Sequence, residues 1–244
     1  MSNLTVVITM AGLGSRFYKA GYTIPKYQIE VHEKTLFEWS MLSLEGFKDK
    51  ANQYIFIVRV EDNASEFIHE RCKKLGFENV SIIEIDYLTD GQATTAYLAK
   101  EIWEKENELL IYNIDTYVEP GQMKAEQLRG DGFIPCFDGD GDHWSFVKLN
   151  KMGEAIEVRE KTRVSRHCTL GAYYFSSCAL YGELYAGYES GEIEMVKNEK
   201  YVAPLYNLLI KRGGKVYISD ICVTTVHALG TPEELELFRE NYKG

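Results

Sequence analysis

The chain has 244 residues, 45% of them apolar, enough for one large domain whose core needs no disulfide or metal to hold it. A formal charge of −10 argues against a nucleic-acid partner, because phosphate backbones select basic surfaces. No apolar run reaches the ~18 residues of a membrane span, the N-terminus lacks the order of a signal peptide, and Cys72, Cys136, Cys168, Cys178 and Cys222 show no CxxC spacing, so free thiols in a reducing cytoplasm are expected.

Met1-Ser2-Asn3 leads straight into Leu4–Thr9, a β-branched run short enough for a buried strand. A Gly-rich loop follows and ends at Pro25. Thr35-Leu-Phe-Glu38 is a capping box, and the helix it opens carries Leu36, Trp39, Leu42 and Phe47 at roughly helical spacing. Tyr54–Val58 reads as a strand, Asn63 as the cap of a helix through Phe67, Ile68 and Cys72, and Gly76 as its end. Strand Val80–Ile85, helix Ala93–Trp103 and strand Leu109–Tyr112 continue the alternation. Such a pattern predicts a doubly wound, Rossmann-like α/β sheet. After it, Phe133–Phe137, Ser145–Leu149, Ala155–Val158 and Leu170–Phe175 read as strands joined by turns, which suits antiparallel additions and makes the sheet mixed. Helices return at Cys178–Tyr185 and at Val202–Arg212, the latter stopped by Gly213-Gly214. Thr231-Pro-Glu-Glu234 opens the last helix with a cap, a first-position proline and a capping-box acid. No repeat or linker divides the chain, so a single domain over residues 1–244 is expected.

Charge is unevenly placed. Residues 1–29 hold Arg16, Lys19 and Lys26 and no acid, so Glu30 onward carries all 37 acids against 24 bases. A cationic island at one end of an acidic chain suits a small polyanionic ligand. Within it lies Ala11-Gly12-Leu13-Gly14-Ser15-Arg16, directly after the first strand, where glycines let backbone amides approach a phosphate. The dinucleotide fingerprint fails because its third glycine falls on Phe17, and the Walker loop fails for want of a Gly-Lys pair.

Met10-Ala-Gly-Leu-Gly-Ser-Arg16 with the later Pro25-Lys26 resembles the sugar-phosphate nucleotidyltransferases (nucleoside-diphosphate-sugar pyrophosphorylases), whose signature is a first strand, then A-x-G-x-G-[ST]-R, then P-K. The resemblance implies that the amides of Ala11, Gly12, Leu13, Gly14 and Ser15 cradle a triphosphate. It implies that Arg16 neutralises departing pyrophosphate and that Lys26 sits on the α-phosphate or the acceptor phosphate. Further matches extend it over nearly the whole chain. Asp90-Gly91-Gln92-Ala93 opens a helix, with Gly91 and Gln92 the implied base contacts, the glycine leaving the base room to approach. Asp115, after a strand that ends Asn113-Ile114, matches the family's magnesium aspartate. Glu160 and Lys161 match the acceptor-binding E-K pair, with Glu160 on acceptor hydroxyls, Lys161 on its phosphate, and Gly171 of Gly171-Ala-Tyr-Tyr-Phe175 leaving room for the ring. Residues 1–130 would thus be the nucleotide half and 131–244 the acceptor half.

The stretches Glu199–Asn207 and Gly230–Glu234 resemble a capsule-biosynthesis branch of the family without a C-terminal left-handed β-helix. Many relatives place a second metal aspartate in W-x-D-x-G-T; here that position is Ala228, Val226 replaces the tryptophan, and the nearby Asp220 does not match the motif. Either another ligand serves, or one carboxylate and the substrate phosphates complete the shell. Asp138-Gly-Asp-Gly-Asp142 is read as a solvated turn, because the late glutamate of a calcium loop falls on Leu149.

The implied activity is condensation of a nucleoside triphosphate with a phosphorylated small molecule, a sugar 1-phosphate first among them, with Mg²⁺ as cofactor and surface polysaccharide as destination. Two readings of other kinds compete: a glycosyltransferase using Asn113-Ile114-Asp115 as a variant D-x-D motif, and a non-catalytic nucleotide-binding protein, motivated by Ala228. A homodimer remains open.

Overall fold

The structure, a computed structural model, describes residues 3–242; Met1 and Ser2 of the expected lead-in lie outside them. The first half runs β1 (Leu4–Thr9), α1 (Ser15–Lys19), β2 (Glu30–Val31), β3 (Lys34–Thr35), α2 (Leu36–Leu42), β4 (Ala51–Arg59), α3 (Ser65–Leu75), β5 (Val80–Ile85), α4 (Gln92–Tyr97), β6 (Glu108–Asn113) and β7 (Thr116–Val118). The second runs β8 (Gly132–Asp138), β9 (Ser145–Leu149), β10 (Ala155–Glu160), β11 (His167–Thr169), β12 (Ala172–Phe175), α5 (Cys178–Glu189), α6 (Leu205–Lys211), β13 (Val216–Ile221), β14 (Val226–Ala228) and α7 (Pro232–Asn241).

Strands β5, β4, β1 and β6 lie side by side and parallel. Their side chains alternate between two cores. Leu4, Val6 and Ile8 of β1 enter one layer with Phe56 and Leu110, while Val7 enters the other with Ile55, Ile57 and Ile111. Burial on both faces is what makes β1, β4 and β6 read as apolar runs. Beyond β6 the direction reverses: β12 pairs antiparallel with β6 and β8, and β13 runs parallel to β8 along its other edge. Short β11 continues the line of β12, pairing β8 on one side and the β9–β10 hairpin on the other. The sheet is therefore mixed and Rossmann-like.

β1 sits between β4 and β6, so the connections leaving β1 and β6 part at the carboxyl end of the sheet, where doubly wound folds bind ligands. Thr9 and Asn113 are register partners at that edge. A third, smaller cluster of Phe17, Trp39, Tyr117, Leu229, Leu235 and Phe238 ties α1, α2, β7 and α7 together beside it.

Local chemistry accounts for several element ends. Thr35 Oγ1 accepts from the Glu38 N–H at 3.2 Å while Glu38 Oε2 accepts from the Thr35 N–H at 2.8 Å. Gly76 closes α3 in the left-handed conformation. Asn63 does not cap α3; it ends a 3-10 turn at φ 46°, and Ala64 precedes the helix without a side-chain cap. The expected strand from Leu170 to Phe175 is broken at Leu170-Gly171, where Gly171 turns to φ 85°. Among the described residues all the cysteines are free, and no helix is long and apolar enough to cross a membrane.

Candidate active site

Two lobes open at the carboxyl edge of the sheet. The first, about 530 Å³, is lined by Met10, Ala11, Gly12, Leu13, Thr89 and Gly91 among others. The second, about 280 Å³, is lined by Trp144, Glu160, Lys161, Gly171, Tyr201 and Glu234 among others. Arg16, Gln92, Asn113 and Asp115 border both. All the sequence-derived site residues except Gly14 and Ser15 thus line one lobe or the other. Those two border a small adjoining recess with Arg16, Lys26, Asp115 and Gly230.

The turn after β1 carries its amides free. Among the described residues, the N–H groups of Ala11, Gly12, Leu13 and Gly14 donate to no backbone or side-chain acceptor. Gly14 adopts φ 60° as the residue before α1, a conformation that favours glycine. Gly12 has no such constraint, and a Cβ there would meet nothing within 4 Å. Arg16, in the first turn of α1, is exposed and makes no ion pair among the described residues. Lys26 reaches across to Asp115, Nζ to Oδ2 at 2.7 Å.

Asp115 stands two residues beyond β6, and its backbone carbonyl accepts from the Leu229 N–H at 2.8 Å. Register pairing of β14 with β7 sets Ala228 opposite Thr116. The alanine therefore stands beside Asp115, where the family motif has its second aspartate. Asp220 is elsewhere: it lies on β13, exposed, with Oδ1 2.9 Å from His167 Nδ1. Buried Asn113 Oδ1 makes no hydrogen bond. No three His, Cys, Asp or Glu side chains converge as a ready-made metal cage among the described residues.

Glu160 ends β10 with its side chain only 6% exposed. The Ser145 hydroxyl donates to Oε2. Burial pushes its carboxyl above the ordinary glutamate value, against the opposing pull of Ser145 and Lys161. Lys161 holds a left-handed backbone at φ 54°, and its ammonium contacts Tyr201, hydrogen-bonding the hydroxyl and lying 4.3 Å from the ring centroid.

Two of the expected site glycines also have packing reasons. A Cβ on Gly91 would lie 2.4 Å from the Lys200 carbonyl oxygen, so the chain crossing by itself demands a glycine there. A Cβ on Gly171 would lie 2.2 Å from Asn113 Nδ2, so the Asn113 amide fills the space that a side chain at this position would take. Gln92, the first residue of α4, donates from Nε2 to Thr9 Oγ1 at 3.3 Å, which fixes its amide at the junction of the lobes. Trp144, Tyr201 and Glu234 were not singled out from sequence as lining residues. The first follows a solvated turn, and Glu234 reads as a helix-capping acid.

This architecture defines a nucleotidyltransferase-type α/β protein. Over 97% of its length the chain is 35% identical to a nucleoside-diphosphate-sugar pyrophosphorylase from Vibrio cholerae RC9, covering all of that chain with a TM-score of 0.88. It is similar in fold to the CTP:phosphocholine cytidylyltransferase of Streptococcus pneumoniae (19% identity, 99% of this chain and 100% of that one, TM-score 0.75). It also resembles the inositol-1-phosphate CTP transferase of T. maritima (14% identity, 96% and 92%, TM-score 0.75). No protein-family model and no curated protein matches the chain. The chain belongs to the nucleoside-diphosphate-sugar pyrophosphorylase family of nucleotidyltransferases.

Proposed function

We propose that the protein joins a nucleoside triphosphate to a sugar 1-phosphate, giving an NDP-sugar and pyrophosphate. The observation that carries this reading is the meeting of two lobes at Asp115, one lined by the glycine loop and the other by Glu160 and Lys161. An acceptor phosphate oxygen attacks the α-phosphorus, and the bond from that phosphorus to the α,β-bridging oxygen breaks in line. Such transfer needs positioning and charge neutralisation rather than a nucleophilic side chain.

The unbonded amides of residues 11 to 14 receive triphosphate oxygens. Arg16, exposed at the border of both lobes and without an ion pair among the described residues, takes the charge of the departing pyrophosphate. Lys26 leaves Asp115 for the α-phosphate or the acceptor phosphate. Gly91 and Gln92 border the base. Glu160 accepts hydrogen bonds from acceptor hydroxyls, and Lys161 holds the acceptor phosphate. Gly171 contributes through Asn113, whose amide it lets into the site.

Magnesium fits this donor set. Hard cations take oxygen ligands and use one or two carboxylates plus substrate phosphates. Asp115 supplies such an oxygen, the Lys26 ammonium stands beside it as a cation would, and Asn113 Oδ1 is a buried oxygen without a partner. When bound, magnesium supplies stabilisation of the charge that moves onto the bridging oxygen. The resemblance of residues 199–207 and 230–234 to capsule-biosynthesis relatives supports surface polysaccharide as the destination of the product.

The test is ³¹P NMR of an incubation with triphosphate, sugar 1-phosphate and magnesium. A new diphosphate diester signal should grow with an equal amount of pyrophosphate. Consumption of an added nucleotide-sugar without pyrophosphate would instead establish a glycosyltransferase.

A further inference from the structure

The family's second metal aspartate falls on Ala228, whose methyl offers no oxygen beside Asp115. The chain then turns at Gly230-Thr231, and the first turn of α7 brings Glu234 back over that turn. Its Oε2 accepts from the Gly230 N–H at 2.9 Å. A methyl built on Gly230 would lie 3.2 Å from Asp115 Oδ2 and 3.5 Å from Glu234 Oε2. The two carboxylates therefore border one small space, which the glycine leaves open. The backbone does not ask for that glycine, since its φ lies outside the left-handed region.

Other observations point to a cation there. Asp115 Oδ2, the oxygen on this space, is the one paired with the Lys26 ammonium at 2.7 Å. Glu234 Oε1 makes no hydrogen bond or ion pair among the described residues. Glu234 is not needed for its charge at the helix start, because Thr231 Oγ1 caps α7 by accepting from the Glu234 N–H at 3.1 Å. Packing of Phe17, Leu229, Leu235 and Phe238 fixes α7 against α1, and with it the position of Glu234.

We infer that Glu234 replaces the absent aspartate as the second carboxylate of the metal site, with Asp115 as the first. The inference rests on the nucleotidyl-transfer reading above. It assigns to a helix-capping acid the role that Ala228 cannot fill, one turn of chain further on.

The test uses Mn²⁺ alone as the probe on the full chain, with bound metal measured by loss of the aqueous Mn²⁺ electron paramagnetic resonance signal. Glu234→Gln keeps an acceptor for the Gly230 N–H and removes the charge. It should weaken Mn²⁺ binding at least about tenfold, as Asp115→Asn does, while the metal-free unfolding midpoint stays within about a degree of wild type. Gly230→Ala, which fills the space between the carboxylates, should also weaken binding. Restoring the family aspartate by Ala228→Asp in the Glu234→Gln background should recover it. Wild-type Mn²⁺ affinity in Glu234→Gln, with loss only in Asp115→Asn, overturns the role of Glu234 and leaves Asp115 standing. Unchanged binding in both variants, or none in the wild type, overturns the metal site altogether. Pyrophosphate release by the same wild-type preparation shows separately whether nucleotidyl transfer stands.

Discussion

Replacing Gly171 by alanine separates two reasons for a glycine beside the acceptor lobe. If it only made room for a ligand, the substitution would raise the acceptor KM and leave the empty protein as stable as before. The structure says otherwise, because the new methyl would lie 2.2 Å from Asn113 Nδ2 and 2.4 Å from its Cγ, and the backbone sits at φ 85°. An L-residue in the left-handed region costs about 1–2 kcal/mol, and overpacking a filled site costs about 1–3 kcal/mol more. The expected loss is about 2–5 kcal/mol, which for a domain of this size is a drop in Tm of about 5–20 °C. Urea unfolding of Gly171→Ala with an unchanged slope measures it directly. In an Asn113→Ala background the steric part should vanish, leaving only the backbone cost of about 1–2 kcal/mol. A single variant within about 0.5 kcal/mol of wild type, altered only in acceptor KM, would refute the packing argument.

Lys26→Ala should lower turnover at least about a hundredfold, because one electrostatic contact to the transferring group is worth about 3–4 kcal/mol. The fold should survive, since a partly exposed ion pair contributes at most about 1 kcal/mol, so melting followed by circular dichroism should stay near wild type. Arg16→Ala should leave melting unchanged, as the exposed side chain has no ion pair to lose among the described residues, but weaken product inhibition by pyrophosphate; unaltered inhibition would remove Arg16 from the leaving-group site. Glu160 gives a pH prediction. Burial raises its carboxyl pKa in the folded state, so the folded protein favours the protonated form, and a penalty builds as pH rises from the ordinary glutamate value through the folded one. Glu160→Gln should therefore melt like wild type in acid and higher than wild type at neutral pH, while its acceptor KM rises. Parallel melting curves across that range would contradict the assignment.

How much of this was legible in the sequence depended on whether a residue answers to its neighbours along the chain or across space. β1 was bounded correctly because its apolar run is buried on both faces, β5 because its β-branched run is short, and Thr35 declared itself through Glu38, three residues away. Asn63 misled because an asparagine that suits a cap also suits the left-handed end of a 3-10 turn. β13 was missed although Val216, Ile218 and Ile221 are buried, because its alternation is brief and its partner β8 lies some eighty residues earlier. The glycine loop and the later Pro-Lys pointed to residues that line the first lobe. The packing reasons for Gly91 and Gly171 were not legible, since a clash with Lys200 or Asn113 exists only once the chain is folded. Glu234 was hidden the other way: its place three residues after Thr231 explains it as a helix acid, and only the fold sets it beside Asp115.

The central claim is nucleotidyl transfer to a phosphorylated small molecule, and a pyrophosphate-release matrix tests it most directly. ATP, CTP, GTP, UTP and dTTP are each incubated with magnesium and a panel of sugar 1-phosphates and polyol phosphates. Pyrophosphate should appear for particular pairs, only when triphosphate and acceptor are both present, and should fall at least about a hundredfold with Asp115→Ala. Release that ignores the acceptor, or that persists near normal in a folded Asp115→Ala protein, would contradict the account.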